Sequence, residues 1–114
     1  MPGRLSTHVL DLTRGKPAAG MTIELWKHGA APSLLKTVTT NSDGRTDDPL
    51  LNAATIAAGS YELVFFVRDY FEARSVNCTF LDRVPVRFAI TDPGAGLHVP
   101  LLVTSWAYST YRGS

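Results

Sequence analysis

Two side-chain types in this sequence could move protons or hold charge in a reaction: the histidines His8, His28 and His98, and the guanidinium of Arg45. Histidine suits proton transfer because its unperturbed pKa of about 6.5 leaves both forms accessible near neutrality. His8 lies in Leu5-Ser6-Thr7-His8-Val9-Leu10-Asp11, and His98 in Leu97-His98-Val99-Pro100-Leu101-Leu102. In extended chain, alternate residues face opposite ways. Leu5, Thr7 and Val9 then share one face of the first segment, and Leu97, Val99, Leu101 and Val103 one face of the second. With those faces inward, both histidines point outward, each on a face with a leucine, Leu10 or Leu102. A face mixing His, Leu and Pro is less polar than a solvated sheet face, so another subunit is expected to cover it. Spacing alone does not make the two histidines meet. His28, in Lys27-His28-Gly29, reads as an ordinary residue at a strand end. Arg45 directly follows the turn Asn41-Ser42-Asp43-Gly44 and is expected to open the next strand.

Other chemistries find less support. A zinc site needs three or four ligands in short local spacings, and three dispersed histidines with one cysteine do not provide them. No metal or cofactor is expected. A Ser-His-Asp triad is assembled by geometry rather than sequence order, so it stays open. The chain nevertheless has no Gly-x-Ser-x-Gly elbow, and no Gly-rich phosphate loop. Asp43-Gly44 reads as a hairpin turn. Cys78, the single cysteine, reads as a small buried hydrophobe in a reducing compartment.

The elements that must carry these residues are mostly strands, because period-two alternation dominates. Met21, Ile23 and Leu25 alternate with Thr22, Glu24 and Trp26. The same pattern covers Tyr61–Val67 and Val84–Ile90, and further strands are predicted at Leu5–Leu12, Leu34–Thr40, Leu97–Thr104 and Tyr108–Arg112. Turn residues separate them at Thr13-Arg14-Gly15-Lys16-Pro17, Ala58-Gly59-Ser60 and Asp92-Pro93-Gly94-Ala95-Gly96. Pro85 within a strand predicts a sheet edge. One short helix is predicted over Asp69–Arg74, with Asp69 as its cap. Seven or eight short strands and one helix make an all-β, antiparallel sandwich.

The chain has 114 residues, 45% hydrophobic and 18% charged, with a formal net charge of +1. That is the size of one domain, spanning 1–114, with enough length to bury a core. Lys and Arg are scattered, so neither nucleic acid nor an anionic membrane is an expected partner. No apolar run approaches the roughly 20 residues of a membrane span. The opening Met1-Pro2-Gly3-Arg4 leads straight into strand-like sequence without a secretory pattern, so a cytoplasmic protein is expected.

The C-terminal Tyr111-Arg112-Gly113-Ser114 resembles the terminal tetrapeptide of the transthyretin-related 5-hydroxyisourate hydrolases. Collinear matches to that family include Leu5–Asp11, Gly15-Lys16-Pro17-Ala18-Ala19-Gly20, Thr40–Arg45, Gly59-Ser60-Tyr61-Glu62-Leu63, Tyr70-Phe71 and His98-Val99-Pro100-Leu101-Leu102. The sequence departs from the family pattern at Gly96-Leu97-His98, where His-Tyr-His is frequent, at Asp82, and at Trp106-Ala107.

The resemblance implies a transthyretin-like fold of two four-stranded sheets. It also implies a homotetramer, a dimer of dimers, with active sites at the dimer–dimer interface. The family's catalytic histidines fall on His8 and His98 and its arginine on Arg45. Its terminal tetrapeptide falls on Tyr111, Arg112, Gly113 and Ser114, which with the first three would bind substrate. The implied reaction opens the six-membered ring of 5-hydroxyisourate, giving 2-oxo-4-hydroxy-4-carboxy-5-ureidoimidazoline, a step of urate breakdown. The main alternative is a transthyretin-like carrier holding a small molecule in the central channel. A non-catalytic accessory domain of the same fold is a further one. Tyr111 and Arg112 would narrow the open channel that a carrier needs.

Overall fold

A computed structural model describes residues 3–113. Two four-stranded sheets face each other. The first is built from β1 (Leu5–Asp11), β2 (Lys16–Pro17), β7 (Leu97–Val103) and β8 (Tyr108–Thr110), in the order β2-β1-β7-β8. The second is built from β3 (Thr22–His28), β4 (Pro32–Thr39), β5 (Gly59–Phe66) and β6 (Arg83–Ile90), in the order β4-β3-β5-β6. Among the described residues one helix, α1 (Val67–Glu72), follows β5 directly.

The alternation read from the sequence is the alternation of burial. Leu5, Val9, Ile23, Leu25, Leu63, Phe65 and Leu101 have no exposed surface and fill the space between the sheets. Each fully buried aliphatic or aromatic side chain of this kind contributes roughly 1.5–3 kcal/mol. Thr7, the one polar residue on the inward face of β1 before Asp11, is buried with its hydroxyl donating to the Val99 carbonyl at 2.7 Å. Pro85 lies on the edge strand β6, where a missing N–H costs no ladder bond.

Several elements differ from expectation for identifiable reasons. The central pair β1–β7 runs parallel, while the other pairings are antiparallel. Lys16 and Pro17, which read as turn, form the short strand β2 against Asp11 and Leu10. The helix begins at Val67, before Asp69, and no side chain caps it. Val67, Tyr70 and Phe71 are its buried residues, so burial of one stripe rather than capping sets where it starts.

No strand opens at Arg45. Residues 45–49 are turns and coil ending in Pro49, and the chain rejoins the first sheet only through a bridge between Leu51 and Leu5. The C-terminal strand also stops early, at Thr110. Pro100 explains this. His98 accepts a backbone bond from Gly113 at 2.8 Å, so alternation turns the backbone of Pro100 toward the terminal segment as well. Its carbonyl accepts from the Thr110 hydroxyl at 2.7 Å, but it has no N–H to continue the ladder past Tyr111. Among the described residues no helix is long and apolar enough to cross a membrane.

Candidate active site

The parallel register of β1 and β7 sets Ser6 opposite His98, His8 opposite Pro100, and Leu10 opposite Leu102. All but the buried Pro100 are half-buried, on the outward face. The two histidines are therefore on adjacent strands and one face, one register step apart, as the alternation predicted for each singly.

Arg45 reaches this face through a loop rather than a strand. Asn41 organises the turn: its side-chain oxygen accepts from the backbone N–H of Asp43 at 2.9 Å and of Arg45 at 3.2 Å. Gly44 then accepts from the Val9 N–H at 2.8 Å, docking the turn on β1 next to His8. Gly44 has φ +72°, and a Cβ there would lie 2.3 Å from the Val9 carbonyl oxygen, so glycine is required twice over.

The terminal segment returns to the same place. Beyond the gap at Tyr111 and Arg112, Gly113 pairs with His98 in the register set by β7 and β8. Here too only glycine fits, since a Cβ at Gly113 would sit 2.6 Å from Cδ2 of His98. Ser6, Leu97, His98, Arg112 and Gly113 wall an open cavity of about 740 Å³, together with Arg4 and residues of two neighbouring loops. Tyr111 lies elsewhere in the single chain, 59% exposed and lining a separate depression with Val86, Phe88 and Val99. Ser114 lies outside the described residues.

Burial, then the cation of Arg45, then His8, hold the pKa of His98 below the ordinary histidine value. The shift favours the neutral imidazole, the form able to accept a proton. Ser6, not singled out by the sequence, places its hydroxyl oxygen 2.8 Å from Nδ1 of His98. His28 is on the other sheet, with Nε2 3.3 Å from a carboxylate oxygen of Glu62, which also accepts from Arg87. It takes no part in the His8–His98 face. Among the described residues no three of His, Cys, Asp and Glu group as metal ligands.

A histidine of lowered pKa at an open cavity, with a second histidine and the Arg45 guanidinium close enough to act on it, suits hydrolysis of a small polar molecule. The family model described as Transthyretin, HIUase/Transthyretin family, matches residues 5–113. The chain belongs to this family. It is 52% identical over 116 residues to 5-hydroxyisourate hydrolase 2 of Rhizobium meliloti, covering 98% of this chain and 97% of that protein. The structure of Klebsiella pneumoniae 5-hydroxyisourate hydrolase aligns with a TM-score of 0.83 at 34% identity, covering 98% of this chain and 94% of the other. An (S)-allantoin synthase structure aligns at a TM-score of 0.92 and 40% identity, covering 99% of this chain but only 44% of that longer one. In this HIUase/Transthyretin member, Ser6, His8, His98, Arg45 and Gly113 converge from both termini and one mid-chain turn.

Proposed function

We propose that this chain is a 5-hydroxyisourate hydrolase. It opens the six-membered ring of 5-hydroxyisourate to 2-oxo-4-hydroxy-4-carboxy-5-ureidoimidazoline. The observation that carries the reading is His98, its pKa held below the ordinary histidine value, half-buried near Arg45 and His8 at a cavity walled by the terminal segment. Cleaving a cyclic amide needs an activated water, stabilisation of the charge that grows on the carbonyl oxygen, and a proton for the leaving nitrogen. His8 and His98 activate the water and transfer protons between them, a contribution worth roughly 10²–10⁴ in rate for a positioned base. Arg45 holds the substrate's oxygens with its planar fork of donors and offsets the developing negative charge. Arg112 and Gly113 line the cavity, Tyr111 completes the site in the assembly, and Ser114, outside the described residues, is assigned to substrate binding by the family resemblance alone. The chemistry asks for no cofactor.

The carrier alternative gains nothing from the structure. Binding alone gives no reason to hold a neutral histidine against a guanidinium. A homotetramer belongs to the proposal, because Leu12, Trp106, Tyr108 and Tyr111 leave large apolar surfaces exposed on the sheet that carries the site. A cytoplasmic location belongs to it too, in keeping with the single free thiol of Cys78. The test follows ultraviolet absorbance of freshly generated 5-hydroxyisourate with and without protein. Decay no faster than the spontaneous rate, with the protein folded, rejects the enzyme reading.

A further inference from the structure

We infer that Ser6 is a positioning residue that selects the working tautomer of His98. The inference rests on the hydrolase reading above. Three observations support it. The parallel pairing of β1 and β7 puts Ser6 directly across from His98 on the same face. The Ser6 hydroxyl oxygen lies 2.8 Å from Nδ1, with both residues in the cavity wall. The Gly113 backbone, which donates to the His98 carbonyl at 2.8 Å, passes the other edge of the ring so closely that a Cβ there would lie 2.6 Å from Cδ2, so the imidazole sits between a hydroxyl on one side and the terminal backbone on the other.

A neutral imidazole has one protonated nitrogen, and the partner of Nδ1 decides which. In the resting enzyme Nδ1–H donates to Ser6 Oγ, and Nε2 carries the lone pair. Nε2 takes a proton from water as the hydroxide oxygen bonds to the substrate carbonyl carbon. The imidazolium formed keeps its Nδ1–H donating to Ser6, so the ring need not turn. Nε2 then gives that proton to the ring nitrogen as the carbon–nitrogen bond breaks, which restores the starting tautomer. One water is consumed, and no charge is left on the enzyme.

A hydroxyl suits this place better than a carboxylate. Among the described residues, the charged and titratable groups around His98 are Arg4, Arg45, Arg112 and His8, and none that lines the cavity is an Asp or Glu. A carboxylate on Nδ1 would raise the pKa and keep the ring charged. Serine orients the ring without adding charge, which agrees with the depressed pKa of His98.

The test compares full-length wild type, Ser6→Ala and Ser6→Thr. Nitrogen-15 NMR of the imidazoles reports the tautomer, and 5-hydroxyisourate kinetics report kcat and KM separately. Wild-type His98 is expected as the Nδ1–H tautomer. Ser6→Ala should mix the tautomers and lower kcat on the order of tenfold with KM nearly unchanged, since part of a base's contribution is lost. Ser6→Thr, which keeps the hydroxyl, should restore the tautomer and most of the rate. A wild-type Nε2–H tautomer overturns the inference whether or not Ser6→Ala folds. So does a folded Ser6→Ala with wild-type kcat and tautomer. Absence of hydrolysis by wild type would reject the hydrolase reading instead, while the NMR result still decides what Ser6 does to the ring.

Discussion

The charge of Arg45 acts on His98 through space, and two substitutions separate that effect from Arg45's donor geometry. Arg45 helps hold the His98 pKa down, so the neutral imidazole persists to lower pH. Removing the cation with Arg45→Ala should raise the His98 pKa and move the acidic limb of the kcat/KM profile to higher pH. Arg45→Lys keeps the charge, so the limb should stay low. Turnover should still fall roughly ten- to hundredfold, as expected for a lost charge-assisted hydrogen bond of about 1.5–3 kcal/mol. An Arg45→Ala limb that does not move would disconnect Arg45 from His98. At the other end of the chain, Gly113→Ala would push a methyl into the His98 ring. A displacement near 1 Å can cost about 10²-fold in rate. The variant should therefore lose most of its activity while its melting temperature changes by less than about 4 °C. Equal losses of activity and stability would make Gly113 a folding residue only.

At the level of elements, α1 is tied to β1 by a buried bond in which the Tyr70 hydroxyl donates to Asp11 at 2.8 Å. The other Asp11 carboxylate oxygen accepts from the backbone of Thr13 and Arg14, closing the turn into β2. Tyr70→Phe leaves the first oxygen without that partner and should cost about 1–3 kcal/mol in denaturant unfolding at pH 7. Burial and the neighbouring Asp11 carboxylate raise the Tyr70 pKa above the ordinary phenol value. The resulting stability is fully present below about pH 10, the unfolded value, and is lost as pH climbs through the folded one. Tyr70→Phe should flatten that alkaline decline, and unfolding curves from pH 9 upward would show it. The strands β3, β5, β6 and β7 were legible in the sequence because one face of each is driven inward. The two-residue β2 was not, since only its partner β1 makes it a strand. The helix start was misjudged because Val67 is both the end of an alternating run and the first residue of a buried helical stripe. His8 and His98 were legible as outward residues. Ser6 was not, because its significance depends on a parallel partner 92 positions away.

Across the whole molecule, the open edge of β8 and the exposed Trp106, Tyr108 and Tyr111 call for a partner. Light scattering behind a sizing column should report four chains, and a fully active monomer would contradict a site completed at an interface. Deleting residues 111–114 removes the Gly113 contact and Arg112 from the cavity wall but leaves β8 intact. Hydrolysis should be nearly abolished, while circular dichroism keeps the sandwich signature. A folded deletion with near-normal turnover would detach the terminal motif from catalysis. The central β1–β7 pair has a further consequence, for biosynthesis. At about 5–20 residues per second, a ribosome needs roughly 5–20 s to reach His98 after Ser6. Through that interval β1 can pair with β2 on one side only, and its other edge must be shielded from neighbouring nascent chains. Gly113 is made later still, 15 residues after His98. The proposed proton-transfer face therefore assembles only once Gly113 has been made, and a chain cut short before that residue never acquires it.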